Sequence, residues 1–246
     1  MNYGHQGRVA LVTGASQGMG AACARRLAAG GALVVVFDRQ VESLKNVAAE
    51  IGGLSCPGDV TSSTDVEEAV ATTINQYGRL DILVNAAGIM LPTRFFDLQE
   101  DEWDQVVAVS LKGSFLTSKA VAGPMRQGGF GRIIHFSSTA GRTVSTLGGC
   151  HYTAAKHGVL GLTRALAKEL SPHGITVNAV CPGLIDTEMV RSTVEPQRIA
   201  AFETSFPVSR LGTPEEVAEA VAFLSSEHAS YITGAPLDIN GGGFMG

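Results

Sequence analysis

Apolar residues along this chain fall into two alternating patterns. Short runs rich in valine, isoleucine and leucine at 8–13, 32–37, 54–56, 80–85, 131–137, 176–181 and 236–239 predict seven strands. Between them, 18–29, 41–51, 64–77, 101–126, 151–170 and 214–225 read as helices, the longer ones with alanine and leucine at spacings of three and four. Strands alternating with helices are the signature of a parallel sheet covered on both faces, and right-handed crossovers then wind it in both directions. The expected fold class is α/β, with a doubly wound, seven-stranded, mainly parallel sheet.

Local signals sharpen the helix ends. Thr213-Pro214-Glu215-Glu216 places a hydroxyl at the N-cap, proline at the first helical position and glutamate at the third, and Thr64 with Glu67 repeats the capping-box spacing. The alternation is unbroken by repeat, low-complexity tract or linker, so residues 1–246 are expected to form one domain. The one long irregular stretch, 183–212, exceeds ordinary loop length and is expected to act as a substrate lid.

Composition removes several classes of function. A chain of 246 residues, 45% hydrophobic, can bury one large core. Its formal charge is -5, with no basic run to follow a phosphate backbone or an anionic bilayer, so neither nucleic acid nor a membrane is an expected partner. No apolar stretch approaches the roughly 20 residues that span a bilayer, and 1–7 is too short and polar for a signal peptide. Cys23, Cys56, Cys150 and Cys181 lie far apart, without a CxxC pair or neighbouring histidines, so reduced thiols and no metal site are expected. A soluble cytoplasmic protein is the expectation.

Directly after the first predicted strand comes Thr13-Gly14-Ala15-Ser16-Gln17-Gly18-Met19-Gly20, and a helix follows at once. Such glycines let the backbone approach a phosphate closely, and the amides of the helix N-terminus then face the pyrophosphate, where the helix dipole favours negative charge. The spacing is GxxxGxG, not the GxGxxG of large two-domain dehydrogenases. A glycine-rich turn can also be tight packing alone; Asp38, ending the second strand, favours the nucleotide because a carboxylate there can bond a ribose.

TGASQGMG at 13–20, GDV at 58–60, NAAG at 85–88, FSS at 136–138, YTAAK at 152–156 and CPGLIDTEM at 181–189 together resemble the short-chain dehydrogenase/reductase family over nearly the whole chain. The resemblance implies a Rossmann-like fold, a nicotinamide cofactor and a homotetramer. It implies that Gly14, Ser16, Gln17, Gly18, Met19 and Gly20 cradle the pyrophosphate, with Asp38 and Arg39 at the adenosine ribose and Asp59 and Val60 at the adenine. Asn85, Ala86 and Gly88 would line the cofactor at the fourth strand's end, and Pro182, Gly183, Ile185 and Thr187 would hold its nicotinamide end. For Asn85 a strand-end cap, and for Pro182-Gly183 a plain turn, remain open as alternatives. Asp38 makes NAD the expected cofactor.

Tyr152 and Lys156 stand four apart in a helical stretch, so both side chains share one face. A free phenol, with a pKa of about 10, exchanges protons poorly near neutrality, and an adjacent ammonium is expected to lower it. Tyr152 is therefore the expected general acid in carbonyl reduction and base in alcohol oxidation. Lys156 is expected to tune it and bond the nicotinamide ribose, while Ser138 donates to the substrate oxygen. His151 and His157 flank the pair and are read as structural.

Two departures from the family pattern stand out. The family's serine usually lies thirteen residues before the tyrosine, whereas Ser138 lies fourteen before it and Thr139 thirteen. The FSS motif selects Ser138, with an inserted residue in 140–150 that Gly148 and Gly149 are expected to absorb at positive φ. Where the family often has asparagine in an N-L-x-G segment, this chain has Ser110-Leu111-Lys112-Gly113, leaving Ser110 as either a proton-relay residue or helix packing.

The expected function is NAD-dependent hydride transfer between a nicotinamide and a secondary alcohol or ketone. The alternatives are a 3-oxoacyl-thioester reductase of fatty-acid type, which the resemblance pairs more often with NADPH, and a non-catalytic dinucleotide sensor or scaffold. Met189, Val190, Ile199, Phe202 and Phe206 of the lid, with Val144 and Leu147, predict a mainly apolar substrate pocket. Arg142 and Arg191 either bind an anionic tail or sit solvated at the surface.

Overall fold

The computed structural model describes residues 3–246; residues 1 and 2 of the expected domain lie outside the described residues. Among them, the strands are β1 (Val9–Thr13), β2 (Leu33–Asp38), β3 (Leu54–Pro57), β4 (Ile82–Asn85), β5 (Gly131–Phe136), β6 (Ile175–Pro182) and β7 (Pro236–Ile239). They form one sheet in the order β3-β2-β1-β4-β5-β6-β7, every pairing parallel. The chain builds outward from β1 toward β3, then returns to β4 on the other side. That reversal opens a crevice beyond the carboxyl ends of β1 and β4, where ligands bind in doubly wound sheets.

Alternate residues of β1 feed two cores. Ala10 and Val12 pack with Leu27 of α1 (Gly18–Ala29), Leu44 of α2 (Val41–Ile51) and Val217 and Val221 of α9 (Pro214–Leu224). Val9 and Leu11 face Val66 and Val70 of α3 (Ser63–Tyr77), Val121 and Met125 of α5 (Gly113–Gly128) and Ala167 of α6 (Cys150–Leu170). Each such buried aliphatic side chain contributes about 1.5–3 kcal/mol relative to exposure. A sheet covered on both faces holds the strand ends rigidly, and those ends carry the site.

The expected helix over 101–126 is interrupted. α4 (Glu100–Val107) passes into a π-helical turn over Ala108–Lys112 before α5 begins, and α5 continues through Pro124 to Gly128. A side-chain pattern of three and four cannot register such widening, and π-turns occur often at functional sites.

The Thr213 capping box is present, with Glu216 accepting from the Thr213 amide at 2.8 Å. The box expected at Thr64 and Glu67 is not: α3 starts earlier, and the Ser62 hydroxyl accepts from the Asp65 amide at 3.2 Å. Asp65 also accepts from the Asp59 amide at 2.9 Å, which ties the loop after β3 to the helix start.

The stretch 183–212, expected to be irregular, contains α7 (Glu188–Thr193) and α8 (Pro196–Ser205), and Ile185 bridges to Gly212 across its base. No side chain described on α8 is fully buried. Of the cysteines, Cys23, Cys56 and Cys181 are buried free thiols and Cys150 is exposed. Among the described residues, no helix is long and apolar enough to cross a membrane.

Candidate active site

Thr13 and Asn85 are paired across β1 and β4, so the segments that follow them run side by side. A Cβ on Gly14 would lie 2.7 Å from the Ala87 Cα, and one on Gly20 would strike the Gly14 carbonyl. These two glycines let the loop close onto the β4 end. Gly18 has another role: at φ +55° it opens α1, and only the Thr187 methyl stands in front of it, 3.7 Å from where a Cβ would be. The space before the α1 N-terminus stays open.

That space is a cleft of about 230 Å³. Gly14, Ser16, Gln17, Gly18, Met19, Gly20, Asp38, Arg39, Asp59, Val60, Ala86, Gly88 and Thr187 all stand on its wall, as the sequence motifs anticipate, together with Ile89 and Val109, which no motif marked. Asp38 is already fixed: one carboxylate oxygen accepts from the Ser16 hydroxyl at 2.9 Å and amide at 3.3 Å, the other from the Gln40 amide at 3.0 Å. Asp59 accepts from the Thr61 amide and hydroxyl, both at 2.8 Å.

Asn85 is not on this wall. Its side chain turns into α5, where Oδ1 accepts from Thr117 Oγ1 at 2.7 Å and Nδ2 donates to Ser118 Oγ at 3.4 Å. It acts as the strand-end strut that stood as its alternative reading. Pro182 ends β6 behind the wall, while Gly183 and Ile185 face a second pocket.

The second pocket, about 290 Å³, meets the cleft at Met19, Thr187 and Met189. Ser138 and Tyr152 open onto it, and none of the residues around it carries a charged side chain. Val144, Leu147, Met189, Val190, Phe202 and Phe206 line it as expected; Ile199 does not. Met90, Asn240 and Phe244 join from the loop after β4 and the C-terminal segment, with no local motif to announce them.

Ser138 ends β5 with extended backbone, and its hydroxyl is hydrogen-bonded to Tyr152 while accepting from the Ala140 amide at 3.1 Å. Thr139 is instead the first residue of a short 3-10 turn. Gly148 and Gly149 do not adopt the positive φ expected of them. They are needed for space: a Cβ on Gly148 would lie 2.9 Å from the Tyr152 ring, and one on Gly149 2.5 Å from the His151 ring and the Thr93 carbonyl.

The electrostatics also differ from expectation. Burial raises the Tyr152 phenol above its ordinary value, and the bond from Ser138 is the opposing influence. Lys156 does not depress it, because its Nζ donates to the Phe136 carbonyl at 2.7 Å and lies over the ring, 5.6 Å from its centroid. The buried ammonium is itself pushed down to about 8. Ser110, in the π-turn, is buried with no hydrogen-bond partner for its hydroxyl among the described residues. A Cβ on Gly88 would lie 3.4 Å from Lys156 Nζ and 3.7 Å from Ser110 Oγ, so both polar groups are buried beside a residue of the cleft wall.

Neighbouring residues are committed elsewhere. Buried His151 lies 3.2 Å from Glu102 Oε1, and His157 bonds the Thr153 carbonyl one turn back at 3.0 Å. Arg142 and Arg191, weighed as anion binders, line neither pocket: Arg142 pairs with Asp238 at 3.4 Å and Arg191 with Asp186 at 2.6 Å. Among the described residues, no group of three histidine, cysteine or acidic side chains is placed to hold a metal.

A family model described as enoyl-(acyl carrier protein) reductase matches residues 14–243. The chain is 40% identical over 242 residues to the 3-oxoacyl-[acyl-carrier-protein] reductase FabG of Salmonella typhimurium, covering 98% of each. It is 42% identical over 239 residues to the acetoacetyl-CoA reductase of Shinella zoogloeoides, covering 97% of this chain and 99% of that one. Its fold superposes on the crystal structure of gox2181 with a TM-score of 0.94 at 35% identity, covering 98% of this chain and 97% of that one.

Proposed function

The chain belongs to the short-chain dehydrogenase/reductase family, an oxidoreductase family that binds a nicotinamide cofactor, and from that premise we propose that it reduces 3-oxoacyl thioesters with NADH. The observation that carries the substrate class is the uncharged, largely apolar pocket beside Tyr152, which suits a neutral acyl chain and offers no counter-ion to a small acid or phosphate. The names of the FabG and acetoacetyl-CoA reductase relatives favour this over the general secondary alcohol that the motifs alone suggested. Ser138, Tyr152 and Lys156 standing together favour an enzyme over a sensor on the same fold.

The cleft fits a dinucleotide, since Gly14 and Gly20 let the turn close onto the β4 end, Gly18 leaves the α1 N-terminus open and Asp38 stands on the wall. Amides of the α1 N-terminus would hold the pyrophosphate and Asp38 the adenosine ribose. A bound reduced nicotinamide supplies the hydride. Ser138 donates a hydrogen bond to the ketone oxygen as charge develops there, and Tyr152 delivers its phenolic proton to the same atom. Ser138 is the group that favours the phenolate left behind, and Lys156, held by the Phe136 carbonyl, would bond the nicotinamide ribose. With Trp103 and Phe115 exposed on α4 and α5, this reading takes the protein as a cytoplasmic homotetramer, which sedimentation at micromolar concentration tests.

The activity test follows reduced-nicotinamide absorbance with acetoacetyl thioester, a 2-enoyl thioester and an unactivated methyl ketone. Preferred turnover of acetoacetyl thioester supports the proposal. Preference for the enoyl thioester, or for the plain ketone, overturns it.

A further inference from the structure

Residues 240–246 fold back across the rim of the substrate pocket instead of leaving the sheet. The Asn240 amide group donates to the Phe244 carbonyl at 3.1 Å and accepts from the Gly242 amide at 2.9 Å, closing a tight loop. Gly241 accepts from the Val208 amide at 2.9 Å, which joins the loop to the end of the lid. Gly242, at φ +83°, lies against Pro207, where a Cβ would come within 2.8 Å of the proline ring. The result places Phe244 on the pocket wall near Phe206.

One side chain holds this loop from the opposite rim. Arg142 follows the turn that begins after Ser138, and its amide bonds the Thr139 carbonyl at 3.0 Å. Its guanidinium donates to the Gly246 main-chain oxygen at 2.5 Å, pairs with Asp238 of β7 at 3.4 Å and lies 5.2 Å from the Phe244 ring centroid. The arginine therefore sits behind the pocket wall, with its charge met by the carboxylate and its guanidinium within cation–π distance of the ring. A main-chain bond, an ion pair and a ring contact converge on one residue and connect the rim that carries Ser138 to the segment that carries Phe244.

We propose that Arg142 latches the 240–246 strap so that Phe244 closes one end of the substrate pocket, and that this latch sets the length of acyl chain the enzyme accepts. The chain-length part rests on the thioester reading above; the latch itself does not. Releasing it lengthens the pocket. Pocket walls discriminate by about tenfold or more for each misfitting methylene, so the effect belongs in the ratio of long to short substrates.

The test compares wild type with Arg142→Met and Phe244→Ala, after circular dichroism has shown each variant folded. kcat/KM is measured for 3-oxobutanoyl, 3-oxooctanoyl and 3-oxododecanoyl thioesters and, in parallel, for methyl ketones of matching length. Hydrogen exchange at the Gly242 and Gly243 amides gives a substrate-independent reading. The expected result is a rise of about tenfold in the long-to-short ratio for both variants, carried by KM, with faster strap exchange in Arg142→Met. An unchanged ratio, a uniform fall in kcat at every length, or unchanged strap exchange overturns the proposal. Turnover of ketones without thioesters would sink the thioester reading, while the ketone series still reads the pocket's length.

Discussion

The cofactor cleft and the substrate pocket meet at Met19, Thr187 and Met189, yet they are built in opposite ways. The cleft takes much of its wall from glycine and alanine at strand ends: the turn after β1, Gly58 after β3 and Ala86 to Gly88 after β4. Asp38 on its wall is fixed by hydrogen bonds from Ser16 and Gln40. The pocket is walled by side chains from 138–147, 183–206 and 240–244, segments that meet only in the folded chain. A main-chain wall cannot change without changing the fold. A side-chain wall can change one residue at a time, so cofactor use is the constrained half of the molecule and substrate choice the adjustable half.

The boundary between the halves should give the largest effect. Tyr152→Phe keeps the ring against Gly148 and removes only the proton, so turnover should fall by about 10²–10⁴-fold while dinucleotide affinity, followed by fluorescence titration, stays near wild type. Turnover within a few-fold of wild type would remove Tyr152 from the reaction. Ser138→Ala should lose about 10²–10³-fold and Thr139→Ala far less, because Ser138 bonds the phenol. A crippled Thr139→Ala with an active Ser138→Ala would reassign the hydroxyl.

Lys156 tests how much the cofactor half gives up in stability. Its folded pKa of about 8 lies below the 10.5 of a solvated lysine, so between those values the unfolded chain holds a proton that the folded one lacks. Unfolding then takes up a proton, and stability rises with pH across that window. The full gain is about 3 kcal/mol, an order-of-magnitude figure at about 1.4 kcal/mol per pH unit. Denaturant melts at pH 7 and pH 10.5 should show wild type gaining this much relative to Lys156→Met. Equal pH dependence in the two proteins would mean that the ammonium is solvated.

Legibility in the sequence followed the same division. The parallel sheet and the turn after β1 follow from β-branched runs and a glycine turn, features set within ten or so residues, whereas Asp59, Val60, Ala86, Gly88 and Thr187 on the cleft wall followed only from the family's motifs. Asn85 was ambiguous because a strand-end amide can face a ligand or a helix, and only the position of Thr117 on α5 decides. α8 was missed because it buries no described side chain, and the π-turn because one extra residue leaves the helical pattern nearly intact. Phe244 and Arg142 lie about a hundred positions apart, and no local pattern could bring them together.

The smallest expected effect concerns the carboxylate at the end of β2. Asp38 is held by Ser16 and Gln40 with its carboxylate at the cleft wall, where the two hydroxyls of an adenosine ribose can donate to it. Bonds to a charged acceptor contribute about 1.5–3 kcal/mol. A 2′-phosphate in the same place meets a carboxylate that cannot swing away without breaking its bonds to the glycine turn. Two unit charges at about 4 Å repel by about 4 kcal/mol at an effective dielectric of 20, and less at this solvent-open rim. Exposed Arg39 offers a partial counterweight, because its guanidinium can reach a phosphate, but it leaves the carboxylate in place. Wild type should therefore prefer NAD by about two decades in kcat/KM, and Asp38→Ala should lose about tenfold with NAD and narrow the ratio. The variant also frees the Ser16 hydroxyl, so part of the NAD loss will come from a looser turn, and the ratio of the two cofactors is the cleaner reading. A wild-type preference for NADP, or a ratio unchanged by the substitution, would show that the strand-end carboxylate only braces the turn.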